Sequence, residues 1–78
     1  MRRTGRWIII DPPVRRRGGA APVQWDEVLA HFKDRITRRD VDAGEFRINV
    51  EAEFEAIKEF RERFPDLVIT PDAHYMVP

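Results

Sequence analysis

Arg15, Arg16 and Arg17, followed at once by Gly18 and Gly19, are the residues of this chain whose types and spacing best suit recognition chemistry. Adjacent guanidiniums present planar forks of N–H donors that match phosphate or carboxylate oxygens, and the glycines let the backbone adapt around a ligand. Arg2, Arg3 and Arg6 near the start of the chain and Arg47 further on complete the candidate contacts to a partner or to phosphate. The phosphate-cradling patterns Gly-x-x-x-x-Gly-Lys-Ser/Thr and Gly-x-Gly-x-x-Gly are both absent. The competing reading of the Arg run is therefore a solvated stretch of charge.

Catalytic chemistry has less to work with. Without cysteine there is no disulfide scaffold, no thiolate zinc site and no cysteine nucleophile. Asp72 and His74 would share one face of an extended segment, as an acid and base pair could, but no nucleophile accompanies them. His31 falls off the apolar stripe around it and lacks partners at metal-binding spacing, so it reads as a solvated surface histidine. The sequence thus points to a protein that is not an enzyme and calls for no cofactor and no metal.

At 78 residues the chain is expected to form one domain, stabilised by hydrophobic burial alone. The apolar run Trp7–Ile10 is too short for a signal-peptide core or a membrane span, so a cytoplasmic location and no membrane partner are expected. The formal charge is zero, but residues 1–39 hold ten Lys and Arg against four acids, and residues 40–78 hold four against ten. Such asymmetry can steer a charged partner or favour self-association, unless folding interleaves the two halves.

The elements that must position these residues follow from periodicity. Arg6–Asp11 is a short continuous apolar run stopped by Pro12 and Pro13, the pattern of a central strand buried on both faces, with Trp7 in the core. Residues 12–22 are rich in breakers and read as a long, mobile loop, preceded by a basic N-terminal arm over residues 1–5. Trp25, Val28, Leu29, Phe32 and Ile36 fall on one stripe and predict a helix running to about residue 37. Thr37–Val41 could form a short polar edge strand, with Asp42–Gly44 as its turn.

From Gly44 to Thr70 the apolar period changes from two to 3.6 and back, which reads as strand, helix, strand. In the strand, Phe46, Ile48 and Val50 face the helices and Glu45, Arg47 and Asn49 face away. The helix follows almost at once, with Glu51, Glu53 and Glu55 in its first turns and Phe54, Ile57, Phe60 and Phe64 as its core stripe. Glu53 and Arg61 lie at the edges of that stripe, where snorkelling is a simpler reading than partly buried polar contacts, and Pro65 ends the helix. Leu67–Thr70 is the last clear strand, and His74–Val77 a candidate edge strand.

This order predicts an α+β fold, a ferredoxin-like βαββαβ two-layer sandwich; if Thr37–Val41 is only a loop, the alternative is a three-stranded βαβαβ unit with parallel pairing. RNA-recognition motifs use the same layout with base-stacking aromatics on the open sheet face, where this chain has Glu45, Arg47 and Asn49. Two functions remain. One is a small non-enzymatic module that binds a protein partner, as regulators or inhibitors of larger bacterial or phage machines do, with a homodimer through an edge strand as one form of partnership. The other is nucleic-acid binding through the backbone phosphates, using Arg2, Arg3, Arg6 and Arg15–Arg17.

Overall fold

The computed structural model describes residues 4–39 and 46–72. They form a small α+β structure with a four-stranded antiparallel sheet and three helices. In chain order these are β1 (Thr4–Ile10), α1 (Pro13–Arg17), α2 (Trp25–Ala30), β2 (Ile36–Arg38), β3 (Arg47–Glu53), α3 (Phe54–Arg63) and β4 (Val68–Pro71), with a short 3-10 turn over Lys33–Arg35.

The strand order is β2-β3-β1-β4, and every neighbouring pair is antiparallel. β1 pairs with β3 along its whole length, from Thr4 opposite Glu53 to Ile10 opposite Arg47. This register sets Gly5, Trp7 and Ile9 beside Ala52, Val50 and Ile48 on one face, and all six are buried. Since the side-chain period of a strand is two, Arg6, Ile8 and Ile10 face the other way. β1 was expected to be covered on both sides, but Ile8 and Ile10 are only half-buried, because the buried helix residues gather on the Trp7–Ile9 side. The β-branched residues at 8 and 10 still favour the pleated backbone without needing full burial.

The core contains Trp7, Ile9, Trp25, Phe32, Ile36, Ile48, Val50, Ile57, Phe60 and Ile69. At its centre Phe32, Phe60 and Phe64 pack with ring centroids 5.2–6.2 Å apart, a separation at which aromatic edges and faces attract. Trp7 is core, as its sequence context implied.

The helix predicted from near Pro22–Gln24 to about residue 37 starts at Trp25 and ends at Ala30. Phe32 has a φ of −112°, and Lys33 adopts a left-handed φ of 54°, which breaks the helical run. Phe32 then enters the core from the turn and Ile36 enters it as the first residue of β2, 1% and 2% exposed. One stripe of apolar residues is thus divided between a helix, a turn and a strand.

The weak edge strand exists but sits at Ile36–Arg38, extended by a hydrogen bond from the Arg39 N–H to the Asn49 carbonyl at 2.9 Å. Its presence makes the sheet four-stranded and antiparallel, in place of the parallel three-stranded alternative. Val41, the turn Asp42–Gly44, arm residues 1–3 and the candidate strand His74–Val77 lie outside the described residues. Thr4 and Gly5, expected in the arm, belong to β1.

β3 runs on to Glu53, so Glu51 and Glu53 are strand residues and not the first turn of a helix. The cause is the register: Ala52 is needed on the buried face between Gly5 and Ile36. α3 then begins at Phe54, which is 50% exposed and not part of the central core. Its ring meets the Trp7 ring edge-on at 6.0 Å and closes over Gly5, where a Cβ would lie 3.5 Å from it. The buried face of α3 is Ala56, Ile57 and Phe60. Arg61 and Glu53 do make polar contacts at its margins, Arg61 to the Ile69 carbonyl at 3.4 Å and Glu53 to Arg35 at 3.9 Å.

Candidate functional site

The Arg-rich segment, expected as an irregular loop, contains α1. Pro13 occupies its first turn, where a missing N–H costs nothing and a fixed φ already suits a helix. Gly18 and Gly19 end it, Gly19 at a φ of +90° that a residue with a side chain would resist. What holds this short helix to the sheet is Asp11, the residue just after β1. Its side chain is fully buried. Arg15 grips it with both forks, Nε to Oδ1 at 2.7 Å and Nη2 to Oδ2 at 3.1 Å, and also donates to the Ala21 carbonyl. Arg16 donates to the Asp11 backbone carbonyl at 2.6 Å and lays its guanidinium 3.7 Å from the centre of the Phe46 ring.

The Arg15 hydrogen bonds hold the Asp11 carboxyl below its ordinary pKa, against the opposing effect of burial, with the charges of Arg15 and Arg16 and a backbone hydrogen bond from Val23 helping. Arg15 is correspondingly raised, first by Asp11 and further by the charge of Asp66.

Of the seven arginines expected to contact a partner, the five among the described residues do not form one surface. Arg15 and Arg16 turn inward onto Asp11, while Arg17 is exposed. Arg6 and Arg47 lie on the open face of the sheet, Arg6 in register with Glu51 and Arg47 with Ile10. Arg2 and Arg3 lie outside the described residues. Asp11 was missed by sequence reasoning. Its signal is an acid closing an apolar strand, followed by Pro-Pro and by an Arg at i+4, the spacing at which a carboxylate and a guanidinium meet on a helical turn.

Beside Arg15 lies a groove of about 470 Å³ between α2 and the end of α3, closed by the Ala21–Gln24 and Pro65–Leu67 segments. Val28, Phe64 and Leu67 give it an apolar lining, and Glu27, His31 and Arg63 supply polar groups. Arg63 Nη1 lies 3.1 Å from His31 Nδ1. A guanidinium only donates, so Nδ1 is the acceptor and the neutral ring carries its proton on Nε2. The same ring packs on Phe64 at 5.7 Å. His31 is exposed, as expected, but it belongs to this concave site and not to a featureless surface.

Among the described residues no group of three His, Cys, Asp or Glu could hold a metal ion. The Asp72 N–H donates to the Arg6 carbonyl at 3.0 Å, and His74 lies outside the described residues. No helix among them is long and apolar enough to cross a membrane. No family model, curated protein or solved structure matches the chain.

Proposed function

We propose that the protein is a small, non-enzymatic, cytoplasmic module that binds a protein partner, and that the groove between α2 and α3 receives a short segment of that partner. The groove carries this reading. Its volume is within the range of sites that enclose small ligands or side chains, and an apolar lining with a few polar groups is what such sites require. Glu27 and Asp66 oppose Arg63 and Arg15 in charge, which suits a peptide of mixed character better than a polyanion.

We also read the layout as a ferredoxin-like βαββαβ sandwich with α1 inserted after the first strand. The strand order β2-β3-β1-β4, antiparallel throughout, with helices between β1 and β2 and between β3 and β4, supports this. The nucleic-acid alternative is weaker, because the best phosphate ligands of the Arg run, Arg15 and Arg16, already serve Asp11.

The test is selection from a displayed random peptide library, followed by affinity measurement against Val28→Lys and the exposed-site variant Arg63→Glu. Selected peptides should bind both variants about ten-fold or more weakly than the original chain. No enrichment, or binding unchanged in both variants, would overturn the proposal. Binding to a short DNA or RNA duplex that falls steeply with salt would replace it with the alternative.

A further inference from the structure

One wall of the groove is held from outside it. The Ala21–Gln24 segment that closes the groove is tied to the end of β1 through Arg15 and Asp11. Arg15 donates to the Ala21 carbonyl and grips the Asp11 carboxylate through Nε and Nη2, and the Val23 N–H donates to that same carboxylate. The pair also shapes α1, since Arg15 lies in the helix and its carbonyl accepts from the Ala20 N–H at 3.2 Å. We propose that α1 and the groove form one coupled unit with Asp11 as its positioning residue, so that filling the groove orders α1 and losing the Asp11–Arg15 clamp weakens the hold of the groove. This rests on the groove being the binding site.

Two features carry the coupling. The first is that α1 has five residues and buries none of them, so neither helix length nor packing keeps it formed. Its order comes from the clamp, which makes it an element able to open locally while the core stays closed. The second is the position of Asp11. Its side chain is enclosed and does not line the groove, so it acts on an occupant only through Arg15 and the wall. Drawing the wall away takes donors from an enclosed carboxylate, which is costly, so the wall and α1 open together.

Linkage makes the effect run both ways. An occupant that touches Ala21–Gln24 favours the docked wall and with it the formed helix. Val14, 67% exposed, and the exposed Arg17 are then fixed on a surface that the occupant does not touch.

Amide hydrogen exchange on the full chain tests this, with the tightest peptide from the displayed library as the probe. The Gly18 and Gly19 N–H groups donate to the Val14 and Arg16 carbonyls, lie outside the groove and report α1. The Val23 N–H reports the wall. The peptide should slow exchange at all three, by about five-fold or more at the two glycines. Without peptide, Arg15→Lys keeps the charge and loses the fork, and should speed all three by a similar factor. Asp11→Asn keeps the size of a side chain the peptide never touches, and should weaken binding about ten-fold. A bound peptide that leaves Gly18 and Gly19 unchanged, or undiminished binding by Asp11→Asn, would overturn the coupling and leave the groove reading standing. Faster exchange at Gly18 and Gly19 in Arg15→Lys with Val23 unchanged would overturn it too, and that result needs no peptide.

Discussion

The stretch from β3 to β4 and the segment from Asp11 to Val23 are held in place by different physics. In the first, Ile48, Val50, Ala52, Ala56, Ile57, Phe60 and Ile69 are all buried against the sheet or α3. In the second, α1 buries no residue and Val14 is 67% exposed. The second segment is fixed by one enclosed carboxylate that organises two arginines. Apolar burial is non-directional and shared among many contacts, so it tolerates change at its edges. A carboxylate clamp is directional, depends on one residue and responds to pH.

The largest effect that separates these regimes should come from Phe60→Ala. Phe60 is fully enclosed and touches both Phe32 and Phe64, so its loss should cost about 3–5 kcal/mol in urea denaturation and loosen the whole sheet. A local loss confined to α3 would show that the aromatic centre is not shared. Asp11→Ala should cost less, about 2–3 kcal/mol, since Arg15 can regain water while the groups that pointed at the carboxylate lose their partner. Its signature should be local. Amide exchange should accelerate over residues 14–20 and remain slow in β1 and β3.

The same clamp predicts a pH dependence of definite sign. Because the folded Asp11 carboxyl titrates below its ordinary value of 3.8, its contribution is complete above that value. It is lost as pH falls through the folded pKa, where the unfolded chain has already taken up its proton. The difference in urea midpoint between the original chain and Asp11→Asn should therefore be constant near neutrality and shrink below 3.8. A difference that stays constant down to strong acid would show that the carboxylate charge contributes nothing.

The two regions also differ in how far the sequence discloses them. Period-two and period-3.6 patterns report which side of an element is apolar, so β1, β3, α3 and β4 were legible from Trp7–Ile10 and Gly44–Thr70. The extent of β3 was not, because alternation through Ala52 and helical spacing from Phe54 overlap at Glu51 and Glu53, and only pairing with β1 decides between them. The stripe from Trp25 to Ile36 misled for a related reason: a residue that must reach the core keeps its apolar character whichever element delivers it. α1 left no periodic trace because nothing in it is buried. The groove joins α2 to the end of α3 and the Pro65–Leu67 segment, a long-range proximity that no local spacing records.

A smaller effect tests where the helix of that stripe stops. Lys33 holds a left-handed φ of 54°, a conformation that costs an L-residue about 1 kcal/mol or more and glycine almost nothing. Lys33→Gly should raise stability by about 0.5–1 kcal/mol, read as a higher urea midpoint with the same slope. In a helix continuing to residue 37 the same substitution would lower stability by a similar amount. The sign alone distinguishes the two conformations.

The smallest effect should come from Arg17→Ala, which bears on the Arg run itself. If Arg15, Arg16 and Arg17 were equivalent solvated charges, their alanine variants would be equally mild. Arg15 instead neutralises a buried carboxylate, so its removal leaves Asp11 enclosed without its strongest partner, whereas Arg17 is exposed and its loss should stay within about 0.5 kcal/mol. The contrast should fade in acid, where Asp11 can be protonated and Arg15 loses its role. Equal effects for Arg15→Ala and Arg17→Ala at neutral pH would remove the distinction between a clamped segment and a solvated one. Unequal effects that converge on acidification would assign the difference to the Asp11 carboxylate and not to the lost packing of an arginine stem.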